Sequence, residues 1–382
     1  MAATYSWDVF CTVVDNFGDI GVCWRLSRQL AVELGQTVRL WVDSLETFAH
    51  ICHAVDPALA LQEVDGVQIR RWPAQHEAVV PADIVVEGFG TRLPDGYLAA
   101  MAERDPRPVW INLEYLSAED WVEGCHGLPS PHPRLPLVKY FYFPGFTAAT
   151  GGLLAERGLF ERRDAFIGNR CAMREFWQAL GCASADSYAS RMSLFCYGNR
   201  ALPSLIEAWS RAREPVLCVV SDGGVRAQLT ALAGQRLVPA APLKLGQLTL
   251  LAIPFLPQDQ YDRLLWACDV NFVRGEDSFV RAQWAGRPLV WHAYPQQEDA
   301  HLNKLAAFMD RYTTGLDAAS GAVCRTFHEA WNRQDAGAGA LWPTLSGLTP
   351  ALKLHAREWA EQLSAVAGLA ARLAEFCGKR LQ

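Results

Sequence analysis

The chain is predicted to be an α/β protein built from two doubly wound, Rossmann-like domains, and three observations predict it. Near the amino end an apolar strand runs into a loop bearing glycine and aspartate, and an amphipathic helix follows. A similar strand-loop-helix start recurs near residue 192. The length of 382 residues also exceeds what one hydrophobic core usually serves.

The first strand is read from Trp7 to Val14, where Trp7, Val9, Cys11 and Val13 alternate with Asp8, Phe10 and Thr12. The helix follows from about Ile20, with Val22, Leu26, Leu30 and Leu34 at helical spacing, and Gly35 closes it. Between them lies Asp15-Asn16-Phe17-Gly18-Asp19-Ile20-Gly21. Such a loop sits at the carboxyl edge of a parallel sheet, where ligands of α/β folds bind, and the helix start offers free N–H groups. Gly18 and Gly21 would let a ligand approach the backbone closely. Asp15 and Asp19 are candidate functional acids, although aspartate also caps turns and helices without any function. Further strands are expected near 37–43, 83–87, 108–113 and 138–143. The aromatic-rich run from Leu135 to Phe146 suggests a sheet edge or a loop facing a cleft.

The second half starts again with a strand from Met192 to Tyr197, then Gly198-Asn199 and a helix near Leu202 to Arg211. Strands are expected at Val216–Val220, Leu248–Phe255, Val270–Val273 and Leu289–His292, with helices at Gln258–Cys268, Asp277–Ala285 and Asp299–Tyr312. Residues 313–345 are rich in Gly and Ala with weak periodicity, and a long amphipathic segment runs from about Pro350 to Gly378. The expected domains are 1–170 and 185–350, with a boundary near 165–190 and a terminal helix, about 355–382, able to pack back on the first domain. Two Rossmann-like domains facing an interdomain cleft form the pattern of the GT-B architecture.

Composition narrows the partners. Lys and Arg number 35 against 41 Asp and Glu, a formal charge of −6 with no basic run, so nucleic acid is not expected. No segment approaches the roughly 18 unbroken apolar residues of a membrane span, and the amino end does not read as a signal peptide, so a cytoplasmic protein without membrane contact is expected. Eleven cysteines occur without a C-x-x-C pair, which indicates no disulfide framework. His50 and His53 have no third ligand arranged as in a zinc set, and no metal is expected. Neither a G-x-G-x-x-G nor a P-loop string occurs, which disfavours a dinucleotide oxidoreductase or P-loop enzyme; no D-x-D is present either.

Arg274-Gly275-Glu276-Asp277-Ser278 supplies another way to neutralise a phosphate: a cation at a strand end, a flexible glycine, a hydroxyl and the backbone donors of a helix start. Tyr197 and Phe255, each read as closing a strand, could sandwich a flat base at the same sheet edge, or simply pack in the core. Gln258 could read a base or sugar edge, or merely begin its helix. His292 and His301 flank Gln296-Gln297-Glu298-Asp299, which could contact a ligand or cap the next helix.

The strings Asp15-Asn16-Phe17-Gly18-Asp19-Ile20-Gly21-Val22-Cys23-Trp24-Arg25-Leu26, Phe195-Cys196-Tyr197-Gly198-Asn199 and Asn271-Phe272-Val273-Arg274-Gly275-Glu276-Asp277-Ser278 closely resemble the bacterial protein-arginine rhamnosyltransferase family that modifies translation elongation factor P. The resemblance spans nearly the whole chain. It implies a GT-B fold, dTDP-β-L-rhamnose as donor substrate, no cofactor, and an arginine of elongation factor P as acceptor, with metal-independent inversion at the anomeric carbon. By the same resemblance Asp19 is the catalytic carboxylate, Asp15 a second functional acid and Glu276 a third near the reaction. Tyr197, Phe255, Gln258, Arg274, Asp277 and Ser278 match the nucleotide-binding surface, with Asn16, Phe17, Gly18, Gly21 and Gly275 in the substrate-binding strings. The residues alone leave two alternatives: a GT-B transferase or epimerase using another nucleotide sugar, and a noncatalytic nucleotide-binding protein.

Overall fold

Strand β1, Ser6–Cys11, is buried from Trp7 to Cys11, so the alternation expected along it does not divide a wet face from a dry one. It is a central strand of a mostly parallel sheet and is covered on both sides. Asp8 is tolerated there because Arg39 grips both its oxygens, at 2.6 and 2.5 Å, and Trp41 and the Ala82 N–H also donate to it. Burial of a carboxylate is costly unless it is paired and hydrogen-bonded in this way.

This computed structural model describes residues 4–14, 17–72 and 79–381. The chain forms two compact units, Met1–Arg157 together with Leu363–Gln382, and Gly158–Gln362, so the division falls ahead of the 165–190 interval. The first unit holds β1, β2 (Thr37–Val42), β3 (Leu61–Val64), β4 (Val67–Arg71), β5 (Ile84–Gly88), β6 (Val109–Leu113), β7 (Pro129–Pro131) and β8 (Val138–Tyr142). Their order across the sheet is β3-β4-β2-β1-β5-β6-β8-β7. β3 and β7 are antiparallel additions at the two edges, absent from the sequence reading because both are short and exposed. The aromatic β8 is therefore not the edge; β7 is.

Chain order reverses at β1, with β2 on one side and β5 on the other. Helix Gly18–Arg28 crosses there, and Gly88 makes the close approach possible: a Cβ on it would stand 2.7 Å from the Cys23 sulfur. The expected terminal segment is two helices, Thr349–Ser364 and Leu369–Leu381, broken around Gly368. The second helix belongs to the first unit, where Phe376 packs on Tyr142 at 5.3 Å and on Tyr140 at 5.8 Å.

The second unit holds β9 (Ser190–Leu194), β10 (Val216–Val220), β11 (Leu243–Leu245), β12 (Leu248–Ala252), β13 (Val270–Arg274) and β14 (Leu289–His292), ordered β11-β12-β10-β9-β13-β14. Again the first strand of the unit is where the order reverses, between β10 and β13. Phe272 on β13 anchors a core of Trp209, Phe327, Trp331 and Trp342. The last three sit on helices Ala318–Asn332 and Ala338–Gly347, formed by the Gly- and Ala-rich stretch that shows weak periodicity in sequence. Gly339 explains that composition: a Cβ there would meet the Ser204 carbonyl at 2.1 Å, so small residues let this helix lie against Leu202–Ser210.

The eleven cysteines are free thiols. Among the described residues no helix is long and apolar enough to cross a membrane.

Candidate active site

In the first unit, the chain leaving β1 is pinned residue by residue. The Thr12 N–H donates to Thr91 Oγ1, the Val13 N–H to Asp43 Oδ1 and the Val14 N–H to Asp19 Oδ2, each at 2.9 Å. Three successive backbone donors that have run out of sheet are thus satisfied by side chains from three other segments. Asp15 and Asn16 follow and lie outside the described residues. Phe17 is the half-in residue of helix Gly18–Arg28 and makes no side-chain cap, so Asp19 is the second helical residue and does not cap the helix. Its place in the first turn still favours a negative charge, since the free N–H groups of a helix start carry positive potential.

Asp19 is 2% exposed, and Tyr115 Oη donates to its other oxygen, Oδ1, at 3.2 Å. Tyr115 follows β6 and stacks on Phe89, which follows β5, with ring centroids 4.6 Å apart and planes at 26°. Both come from the carboxyl ends of neighbouring strands, as does Asp19's loop. Gly21 lies inside the first helical turns and donates its N–H to the Phe17 carbonyl at 2.9 Å.

In the second unit, Arg274 ends β13 and pairs in register with His292 at the end of β14. Its guanidinium carbon lies 4.6 Å from the centre of the Phe195 ring and 4.3 Å from that of Tyr197. Tyr197 meets His292 edge-on at 5.3 Å and Tyr294 at 5.4 Å. Burial, with His301 and Arg274 nearby, pushes His292 down to about 4, so its imidazole is neutral at neutral pH. Gly275 then turns the chain at φ +65°, a left-handed state that favours glycine, and the helix Asp277–Trp284 starts two residues later. Glu276 is its half-in residue. The Ser278 hydroxyl donates back to the Arg274 carbonyl, and the Gln258 amide donates to Asp277 Oδ2 at 3.1 Å. Buried Arg281 and Asp262 join the two helices that carry these groups, through contacts of 2.9 and 2.6 Å.

The structure therefore gathers Tyr197 with Arg274, and Gln258 with Asp277 and Ser278, at one edge of the second sheet. It corrects two positions: β9 ends at Leu194 and β12 at Ala252, so Tyr197 and Phe255 lie on the following loops. Pro254 and Pro257 have no N–H to continue a ladder, and they end β12 early. Phe89, Tyr115 and Tyr294 carry no motif in the sequence, and Phe195 enters only as the first residue of the string Phe195-Cys196-Tyr197-Gly198-Asn199, with no contact to Arg274 assigned. Their only signal is an aromatic residue just past the end of a strand, which core packing produces equally often.

Two mostly parallel sheets with covering helices, each with polar and aromatic groups at its carboxyl edge, are the plan of the GT-B glycosyltransferases. The fold alone is shared with an α-glucosyltransferase solved with UDP and a 13-mer DNA, at TM-score 0.50 and 8% identity over 98% of both chains. A profile described as Elongation-Factor P (EF-P) rhamnosyltransferase EarP matches residues 7–378, and the chain belongs to this family. A Pseudomonas aeruginosa protein named protein-arginine rhamnosyltransferase is 48% identical over 377 residues, 97% of this chain and 98% of the relative. A solved structure bearing on EarP-mediated arginine glycosylation of translation elongation factor EF-P superposes at TM-score 0.70, with 34% identity over 98% of both chains.

Proposed function

We propose that the enzyme transfers L-rhamnose from dTDP-β-L-rhamnose to an arginine side chain of translation elongation factor P, with inversion and without a metal, in the cytoplasm. Family membership supports the reaction class, and the single observation carrying the chemistry is Asp19, a carboxylate 2% exposed with a backbone N–H on one oxygen and a phenol on the other.

A guanidinium has a pKa above about 12 and no lone pair available for attack, so a catalyst must localise its charge away from one nitrogen. Carboxylates do this by accepting its N–H groups, and a bidentate grip also orients the fork. In this reading Asp15 and Asp19 receive the acceptor. As the nitrogen attacks the anomeric carbon it becomes acidic, its N–H bond breaks late, and Asp19 takes the proton. The C–O bond to the diphosphate breaks with its electron pair leaving on dTDP, and a nearby carboxylate eases the oxocarbenium character of the transition state. Glu276 is the third acid assigned to the reaction.

The donor belongs to the second unit in this proposal. Arg274, Ser278 and the backbone N–H groups at the start of Asp277–Trp284 neutralise the departing diphosphate, which is the work a metal does in other transferases. Tyr197 and Phe255 offer flat faces for the base, and Gln258 and Asp277 polar edges for base or ribose.

The test is intact-mass analysis of elongation factor P incubated with pure enzyme and a panel of dTDP- and UDP-sugars, with and without EDTA. The expected result is a gain of one deoxyhexose from dTDP-β-L-rhamnose only, localised to arginine and unchanged by EDTA. Transfer from another donor would replace rhamnose in this reading, and a rate lost to EDTA and restored by Mg²⁺ would end the metal-free mechanism.

A further inference from the structure

Asp19 is almost wholly buried, yet Tyr115, whose hydroxyl holds Asp19 Oδ1 at 3.2 Å, is 38% exposed. The phenol is thus a polar group linking this acid to the surface of the first unit. Its ring rests on Phe89, which sits at φ +55°, an unfavourable state for a bulky side chain with a Cβ. Such conformations persist where surrounding contacts over-determine them, and they gather at functional positions. The contact made by this one is the stack that fixes the Tyr115 ring.

We propose that Tyr115, braced by Phe89, is a positioning residue that sets the plane of the Asp19 carboxylate for the incoming acceptor. The Val14 N–H fixes Oδ2 and the phenol fixes Oδ1, so rotation about the Cβ–Cγ bond is blocked by donors at both oxygens. A functional group must be held within about 10–20° of its productive orientation, and a carboxylate held at one oxygen alone is free to swing out of plane. The inference rests on Asp19 being the proton acceptor and adds to that assignment the group that aims it.

Steady-state kinetics on full-length Tyr115→Phe, which keeps the ring and deletes the hydroxyl, supplies the test. The expected result is a kcat reduced roughly 10-fold or more with KM for donor and acceptor within about twofold of wild type, because the lost contact acts on the base and not on substrate binding. Phe89→Ala, which removes the brace, should lower kcat in the same manner, and Phe89→Tyr should restore it. In an Asp19→Asn background, Tyr115→Phe should cause no further loss of single-turnover product, since the two act as one unit. A wild-type kcat for Tyr115→Phe, a defect confined to KM, or a full additional loss in the Asp19→Asn background would each overturn the positioning role while leaving rhamnosyl transfer intact. A wild-type enzyme that transfers nothing would remove both readings.

Discussion

Asp19 and Arg274 stand where strands hand over to helices, and that is why both could be picked out from residue order alone. A charged side chain immediately past an apolar run has few reasons to be there. What the string could not show is how each is held, because the partners arrive from distant segments: Tyr115 is 96 residues from Asp19, and Phe195 and Tyr197 come from the loop after β9, far in sequence from Arg274. Asp19→Asn removes the proton acceptor and should cut transfer by ~10²–10⁴-fold, with dTDP binding by calorimetry within about twofold of wild type. Wild-type turnover by that variant would refute the assignment. Arg274→Ala should weaken donor binding by roughly 10- to 100-fold, the equivalent of ~1.5–3 kcal/mol for hydrogen bonds to a charged group. An unchanged donor affinity would take the diphosphate away from Arg274.

Helices Gln258–Ala267 and Asp277–Trp284 bring Gln258 and Asp277 within hydrogen-bond distance, and Arg281 and Asp262 join the same two helices in a buried, two-point ion pair. Removing one partner leaves a charge stranded in the core, so Asp262→Ala should destabilise the protein by ~3–5 kcal/mol in urea unfolding, whereas Asp262→Leu combined with Arg281→Met should recover much of that loss. A single variant as stable as wild type would show that the pair is not an anchor. The strands were legible for the opposite reason to the ion pair: β10, β12, β13 and β14 are short apolar runs bounded by Gly, Pro or charged residues. Helix Ala338–Gly347 was not legible, because Gly339 answers to the backbone of Leu202–Ser210 and only Ala338, Trp342 and Leu345 mark its buried side. The Arg281–Asp262 pairing lies 19 residues apart across a strand, and no periodicity reports it.

Across the molecule, neutral buried histidines set a pH limit. Burial holds both His292 and His328 down at about 4 against an ordinary 6.5. The unfolded chain therefore takes up protons below pH 6.5 that the folded chain refuses until near pH 4, so stability is full above 6.5 and is lost as pH falls toward 4. The thermal midpoint should drop across that window, and His328→Gln should make the drop shallower; a midpoint flat in pH would contradict the two buried imidazoles. The two-unit plan was legible from the repeated strand-loop-helix start, but the crossing points at Arg157 and Gln362 were not, since both fall where neither charge nor composition changes sharply. Those crossings carry a further consequence. The first unit is written in two pieces, and its closing helix Leu369–Leu381 leaves the ribosome only after the whole of Gly158–Gln362. During synthesis the later unit can finish folding while the earlier one still waits for Phe376 to cover Tyr142, so a premature stop near residue 363 would damage the half of the protein made first.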